Sequence, residues 1–507
     1  MIHEHLHENN NERVFSDTSR NNAEFTVERA EEYIRENKGN VAFERRLTYH
    51  ATPPVGWTND PNGFCFALGK YHLFFQFHPY STEWGPMHWG HFVTEDFIEW
   101  QWVKTAIAPD EEYDKDGCFS GSSIEKDGKQ YIFYTAVCGD RQNQAEAVSE
   151  DGVAFEKKGI VISSDKLPEG CSVHDFRDPY VFRKNEKYYM LCGSKASDGD
   201  GQVVLFESDN LDSWRFVGVV RKDDKPKSGI YECPSFFTAM GKDVLITSPQ
   251  GYVTEKYRYG NVNSSIYSVG QLDLNTGVFT AESEDEIDGG LDFYAPQTLA
   301  APDGRIIMTA WMQMWGRTMP TASDGWAGSF ILPRELYLKY GKLYQSPVKE
   351  IEKYRRNGVF YKNVSFGEHT ALNGVSGDKI ELNVTFSIGN AEKIEVRFFE
   401  GENEYASLFY SGSDNSVTFD RSKAGTEISC DPKEKDAYVR SVKLSGNDGE
   451  ISMRIFLDVT SSEVFINGGE KVVTNNVYTN EKGKGVSFRA YGGEAKILFL
   501  EKYDIEL

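Results

Sequence analysis

Apolar and polar positions along this chain follow one pattern up to about residue 350 and another beyond it. In the first part five segments share a layout: "NDPNGFCFALGKYHLFFQ", "CFSGSSIEKDGKQYIFYTA", "FRDPYVFRKNEKYYMLCGS", "YECPSFFTAMGKDVLITSP" and "FYAPQTLAAPDGRIIMTAW". Each opens on a short polar or aromatic entry, runs on as a strand, turns at a basic residue and ends in a strongly apolar strand. The basic residues are Lys70, Lys129, Lys187, Lys242 and Arg305, at separations of 59, 58, 55 and 63. Self-similarity at that period, with more strands between the hairpins, predicts a five-bladed β-propeller with about four strands per blade. An irregular β-sandwich with chance hairpins is the competing reading.

Past "SPVKEIEKYRRN", which reads as a connector, come runs such as "KIEVRFF", "SMRIFLDV", "GVSFRAY" and "AKILFLEKY". Their period-two alternation predicts strands with one buried face, and hence a β-sandwich. Asn467-Gly468 between two such runs signals a tight hairpin. At the other end "TVERAEEYIRENK", residues 26–38, predicts a helix closed by Gly39. The expected class is all-β. A 1–44 extension with one helix precedes a 45–350 propeller carrying the catalytic site and a 351–507 sandwich.

Charge narrows the partners. Lys and Arg number 55 against 78 Asp and Glu, a net −23 that favours neither nucleic acid nor an anionic membrane. The opening "MIHEHLHENNNERVF" lacks the cationic lead and apolar core of a secretory signal, and no apolar run is long enough for a membrane helix. Seven scattered cysteines, an odd number without metal-type spacing, read as free thiols in a reducing compartment. The expected location is therefore cytoplasmic. His3, His5 and His7 could chelate a metal, but a disordered tail is the stronger reading, and neither metal nor cofactor is expected.

The repeat also carries the candidate chemistry. Aligned on the basic turn residue, Asp60, Asp178 and Glu232 occupy one place in three units, and Phe119-Ser120 and Tyr294-Ala295 occupy it in the other two. A proline follows in four units: Pro61, Pro179, Pro234 and Pro296. Proline is tolerated where a strand edge is unpaired, as beside a central channel. Three carboxylates at equivalent points of a propeller converge on one pocket. Two of them facing each other are the machinery of glycoside hydrolysis. Aromatic residues make up 14% of the chain, and Trp57, Trp84, Phe119, Tyr294 and Trp311 lie beside these acids, suiting a sugar's apolar faces. A salt-bridge ring, a Ca²⁺ site drawing on Asn59, Asp60 and Asp178, and a lectin-like module are the alternatives.

"WTNDPNG", "FRDP" and "EC" resemble the three signature motifs of the β-fructosidases, glycoside hydrolase family thirty-two. "FFQF", "WGPMHWGH", "FSG", "GWAGSFILPREL" and "RIFLDVTSSEVFINGG" resemble that family too, so the likeness runs from about residue 45 to the end. Thr58 stands where the family usually has Met, which bears on pocket shape. The resemblance implies a propeller followed by a sandwich, and retaining hydrolysis of β-D-fructofuranosides through a covalent fructosyl-enzyme. Asp60 resembles the nucleophile, Glu232 the general acid/base and Asp178 the transition-state stabiliser. Asn59, Gln76, Trp84, Phe119, Ser120 and Arg177 match substrate contacts, with Asp292 and Trp311 as further candidates. For Gln76 a satisfied strand-face amide is the competing reading. Cys233 is expected to pack, and Asp458 and Glu463 to stabilise a turn or interface.

The absent export signal favours sucrose, sucrose 6-phosphate or short fructooligosaccharides over polymeric fructans. A fructosyltransferase and a silent sugar-binding propeller are the runners-up. The expected partner is a small fructoside, and self-association is expected to use the sandwich. The extension has no functional account from sequence.

Overall fold

The computed structural model describes residues 25–222, 229–431, 436–446 and 449–507, so His3, His5 and His7 lie outside the described residues. Among the described residues, five antiparallel sheets follow one another between Gly56 and Pro347, each built largely from strands consecutive in sequence. Their first strands are Gly56–Ala67, Gly117–Lys126, Cys171–Lys184, Tyr231–Ala239 and Tyr294–Ala300. Each packs against the next and the fifth against the first, closing a ring. The ring is also stitched by hydrogen bonds. Trp326–Ala327, late in the chain, pairs parallel with Gly56 and Trp57 at the edge of the first sheet. This is the propeller the repeat predicted. In four units the second strand begins at the basic residue named from sequence, at Lys70, Lys129, Lys187 and Lys242. In the fifth it begins one residue later, at Ile306.

Burial explains why these strands read as they do. Gly56–Ala67 is buried almost throughout because both of its faces meet neighbouring sheets, whereas the outer strand Glu156–Ile162 alternates exposed and covered positions. Aromatic side chains fill the wedges between sheets. Phe182 of the third sheet lies 4.6 Å from Phe236 of the fourth, ring centre to ring centre. Fully burying one such ring contributes about 1.5–3 kcal/mol.

The connector forms a short 3-10 helix, Lys349–Tyr354, and its last residues enter the strand Arg355–Phe366. Beyond it a six-stranded and a five-stranded antiparallel sheet make the sandwich, their facing residues forming one core that includes Phe386, Phe398, Ile455 and Phe488. The Asn467-Gly468 hairpin joins Ser461–Ile466 to Lys471–Asn476, so the connection has four residues rather than two. Both Asn467 and Gly468 have positive φ, as such a turn requires. The N-terminal helix spans Val27–Asn37. The Thr26 side chain caps it by accepting from Arg29 N–H, and Gly39 sits in the 3-10 turn that follows. Among the described residues no helix is long and apolar enough to cross a membrane, and no disulfide joins the seven cysteines.

Sandwich and propeller meet through buried charge, as expected for Asp458 and Glu463. His50 Nδ1 lies 2.8 Å from Asp458 and its Nε2 2.8 Å from Glu463. Asp458 also accepts the Thr48 and Tyr49 N–H groups, and Arg334 joins Glu463 to Asp288. Burial alone would lower the His50 pKa, but hydrogen bonds to the two carboxylates outweigh it and raise it to about 9. The folded value lies above the ordinary 6.5. Stability from this ion triad is therefore fully present below about pH 6.5 and lost as pH rises through about 9, on the order of 3 kcal/mol in all. Thermal unfolding of wild type and His50→Gln between pH 6 and 9.5 checks this. The gap in melting temperature should narrow as pH rises, and a gap independent of pH would refute the charged-histidine reading.

Candidate active site

All five first strands are irregular at the place the repeat singled out. Register slips fall between Thr58 and Pro61, Phe119 and Gly121, Arg177 and Tyr180, Glu232 and Ser235, and Tyr294 and Gln297. The carboxylates therefore lie within strands rather than ahead of them, each where the ladder breaks. Asp178, Cys233 and Ala295 adopt left-handed backbone, φ 64°, 46° and 51°, and each precedes the unit's proline. A bulge leaves an N–H without a ladder partner, so proline costs nothing there. The second unit has Gly121 in proline's place, because a Cβ would stand 1.9 Å from the Phe133 carbonyl oxygen.

These bulges turn the five equivalent side chains toward one network. Ser120 Oγ donates to Asp60 Oδ2 at 2.7 Å, and the Cys233 thiol reaches the same oxygen at 3.4 Å. Asp60 Oδ1 is buried and has no hydrogen-bond partner among the described residues. Asp178 Oδ2 accepts Cys233 N–H at 2.9 Å and faces the Cys233 sulfur at 3.6 Å, while Asp178 N–H donates to Thr135 Oγ1. Glu232 Oε1 accepts from Arg177 Nε and Nη2 at 3.1 and 3.0 Å. Its Oε2 lies 2.6 Å from the Tyr294 hydroxyl.

That hydroxyl also stands 3.1 Å from the Ser248 carbonyl. A carbonyl only accepts and the phenol has one hydrogen. When Glu232 is ionised, Tyr294 donates to it. When Glu232 carries a proton, it donates to Tyr294 and the phenol turns to Ser248. The hydroxyl follows the proton without leaving a buried group unpaired.

Burial acts on both aspartates in the same direction. Burial, then the charge of Glu232, pushes Asp60 up to about 6, against the pull of the Ser120 hydrogen bond. Burial raises Asp178 as well, opposed chiefly by the Arg177 cation. Arg177 is held by Gln142 and Asp175 on its far side, and the surrounding carboxylates raise its own pKa despite burial.

The ring residues gather beside the acids. Trp57, Tyr294 and Trp311 share an apolar cluster with the half-buried Trp84, Phe119 and Cys233. Trp84 meets Phe119 edge-on at 5.8 Å, and Trp57 Nε1 donates to Asn59 Oδ1 at 2.9 Å. Trp315, unnoticed in the sequence, packs 5.0 Å from Trp311 and 6.1 Å from Trp57.

Gln76 is 2% exposed and its amide donates to the Cys118 carbonyl, tying the first sheet to the second. One expectation changes. Asp292 is not brought to the pocket. It is wholly buried against the sandwich, with Oδ1 on Arg317, Oδ2 on Arg421 and its N–H on the Thr474 carbonyl. Sequence reasoning also missed the roles of Tyr294 and Cys233 as hydrogen-bond partners of the acids, although Tyr294 occupied the telling place in its repeat. Among the described residues no group of three or more His, Cys, Asp and Glu side chains is arranged to hold a metal ion.

Comparison with known proteins agrees with this arrangement. Residues 50–347 match the glycosyl hydrolases family 32 N-terminal domain and residues 350–505 the family 32 C-terminal domain. The chain is 36% identical to a sucrose-6-phosphate hydrolase of Escherichia coli over 91% of this chain and 94% of that one. It is 37% identical to a raffinose invertase of the same organism, covering 92% and 95%. Among solved structures, a sucrose-6-phosphate hydrolase from Lactobacillus gasseri superposes with TM-score 0.84 at 27% identity, covering 94% of this chain and 96% of that one. A motif set, a fold and a carboxylate pocket that agree this closely place the chain in glycosyl hydrolase family 32, as a glycoside hydrolase.

Proposed function

We propose that this chain hydrolyses terminal β-D-fructofuranosides of the sucrose type with retention of configuration. The observation that carries the reading is the single unpartnered oxygen of Asp60, held rigid through its other oxygen beside an acid that has two proton partners. In the first step Asp60 Oδ1 forms a bond to the fructose anomeric carbon. The glycosidic C–O bond breaks, and Glu232 gives its proton to the departing oxygen. In the second, Glu232 takes a proton from water, the hydroxide oxygen bonds to the anomeric carbon, and Asp60 leaves as carboxylate. Asp178 stabilises the positive charge on the ring in both steps.

Sucrose and sucrose 6-phosphate are the first substrates to compare, given the names of the curated relatives. A structural neighbour 30% identical to this chain was solved as a variant in complex with sucrose. Rates on sucrose, sucrose 6-phosphate and kestose, with product analysis at high sucrose, test the reading. Free fructose should dominate over transferred fructosyl groups, and chiefly oligosaccharide products would select the transferase. Because Asp60 attacks as the carboxylate, the acid limb of kcat/KM should fall near pH 6, with activity lost as pH drops below it. A flat profile down to pH 4 would contradict that.

A further inference from the structure

The N-terminal helix, which no part of the reaction uses, packs beneath the loop that carries Trp84. Phe25, just ahead of the helix, and Tyr33 within it both pack on Tyr80, the first tilted and the second edge-on, with ring centres 5.7 and 5.2 Å away. Phe25 also meets His88 at 6.1 Å, and Tyr80 touches His78 at 5.9 Å and His88 at 5.6 Å. The two histidines hold the loop backbone on either side of Trp84. His78 Nδ1–H donates to the Glu83 carbonyl at 2.9 Å and His88 Nδ1–H to the Pro86 carbonyl at 2.9 Å, since a carbonyl can only accept. Gly85 completes the grip, because a Cβ there would lie 2.3 Å from the His78 ring. On the other side of the helix, Glu31 accepts both the N–H and the hydroxyl of Thr105, at 2.6 and 2.8 Å. The helix is thereby fixed, independently of the loop, to the segment that follows Gln101–Trp102, the last strand of the first sheet.

We infer that Phe25 and Tyr33 are positioning residues that set the height of Trp84 at the pocket rim, and through it the preference for the departing sugar. The inference rests on the proposed fructoside hydrolysis and on Trp84 being a sugar contact, as the family resemblance implies. Trp84 reaches Phe119, whose neighbour Ser120 holds Asp60, so the loop borders the site where Asp60 is held. The chemistry at the fructose carbon is left to the bulged strands.

The test uses the full chain carrying Phe25→Ala with Tyr33→Ala. Its measure is the ratio of kcat/KM for sucrose to that for an activated aryl fructoside, which has no departing sugar. The double variant should lower that ratio about 5–20-fold, mostly through KM for sucrose, and leave the aryl fructoside within about twofold. Tyr33→Phe keeps the ring and loses only the hydroxyl's 3.4 Å hydrogen bond to the Tyr80 carbonyl, so it should move the ratio far less than the double variant. In a Trp84→Ala background the helix substitutions should change the ratio no further, which is the signature of action through that residue. A lower melting temperature with an unchanged ratio overturns the proposal and leaves the helix a stabilising strap. An equal drop in both backgrounds also overturns it. If Trp84→Ala itself does not move the ratio, the sugar contact is wrong and the proposal falls with it. A ratio moved by Trp84→Ala but not by the helix variants rejects the helix role alone.

Discussion

Asp60→Asn will fold, bind its fructoside and turn it over at least about 10⁴-fold more slowly than wild type. The replacement is nearly isosteric and its amide can still meet Ser120, so the network that holds the side chain survives in part. What disappears is the oxygen proposed to form the fructosyl bond, the one buried carboxylate oxygen without a hydrogen-bond partner among the described residues. The loss should fall on kcat, because the group acts on the transition state far more than on the bound ground state. Glu232→Gln should cost about 10²–10⁴-fold on sucrose and much less on an aryl fructoside whose leaving group needs no proton. Steady-state kinetics with intrinsic-fluorescence binding checks both. Ordinary turnover of sucrose by Asp60→Asn, in material free of wild type, would dismiss the nucleophile assignment.

Asp292→Ala should do the reverse, losing stability and sparing catalysis. Its two oxygens face Arg317 and Arg421, whose side chains are no more than 1% exposed. Without Asp292 the buried Arg421 guanidinium loses the carboxylate it pairs with, a change that costs about 3–5 kcal/mol. Chemical unfolding should register it, whereas KM for sucrose on the folded fraction should stay within about twofold. A tenfold rise in KM at unchanged stability would restore Asp292 as a sugar contact.

The contrast between these two aspartates shows what the sequence made legible. Asp60, Asp178 and Glu232 share a repeat position, and a ring of repeats must bring such positions together. The same reasoning reached Ser120 and Tyr294, which sit at that position and turn out to hold Asp60 and Glu232. Asp292 lies two residues before Tyr294 and looked like part of the same mouth. Nothing local told that Thr474, Arg317 and Arg421, from distant parts of the chain, would close around it. Cys233 was obscure for another reason. Its contacts with Asp60 and Asp178 depend on a left-handed backbone that residue type does not announce. The sandwich strands were readable from alternation, but the ion triad of His50, Asp458 and Glu463 pairs positions more than 400 residues apart.

The parallel pairing of Gly56 and Trp57 with Trp326 and Ala327 also sets a timetable for the growing polypeptide. The strand of Asp60 leaves the ribosome well before its closing partner, which follows 326 − 56 = 270 residues later. At about 5–20 residues per second, that is a wait of about 15–55 s. During the wait the first sheet has its hairpins but an unclosed edge, and the apolar flank destined for the fifth sheet stays uncovered. A nascent chain of this protein is therefore most vulnerable to mispairing before residue 327 emerges, and catalytic competence arrives late in synthesis however early its key aspartate is made.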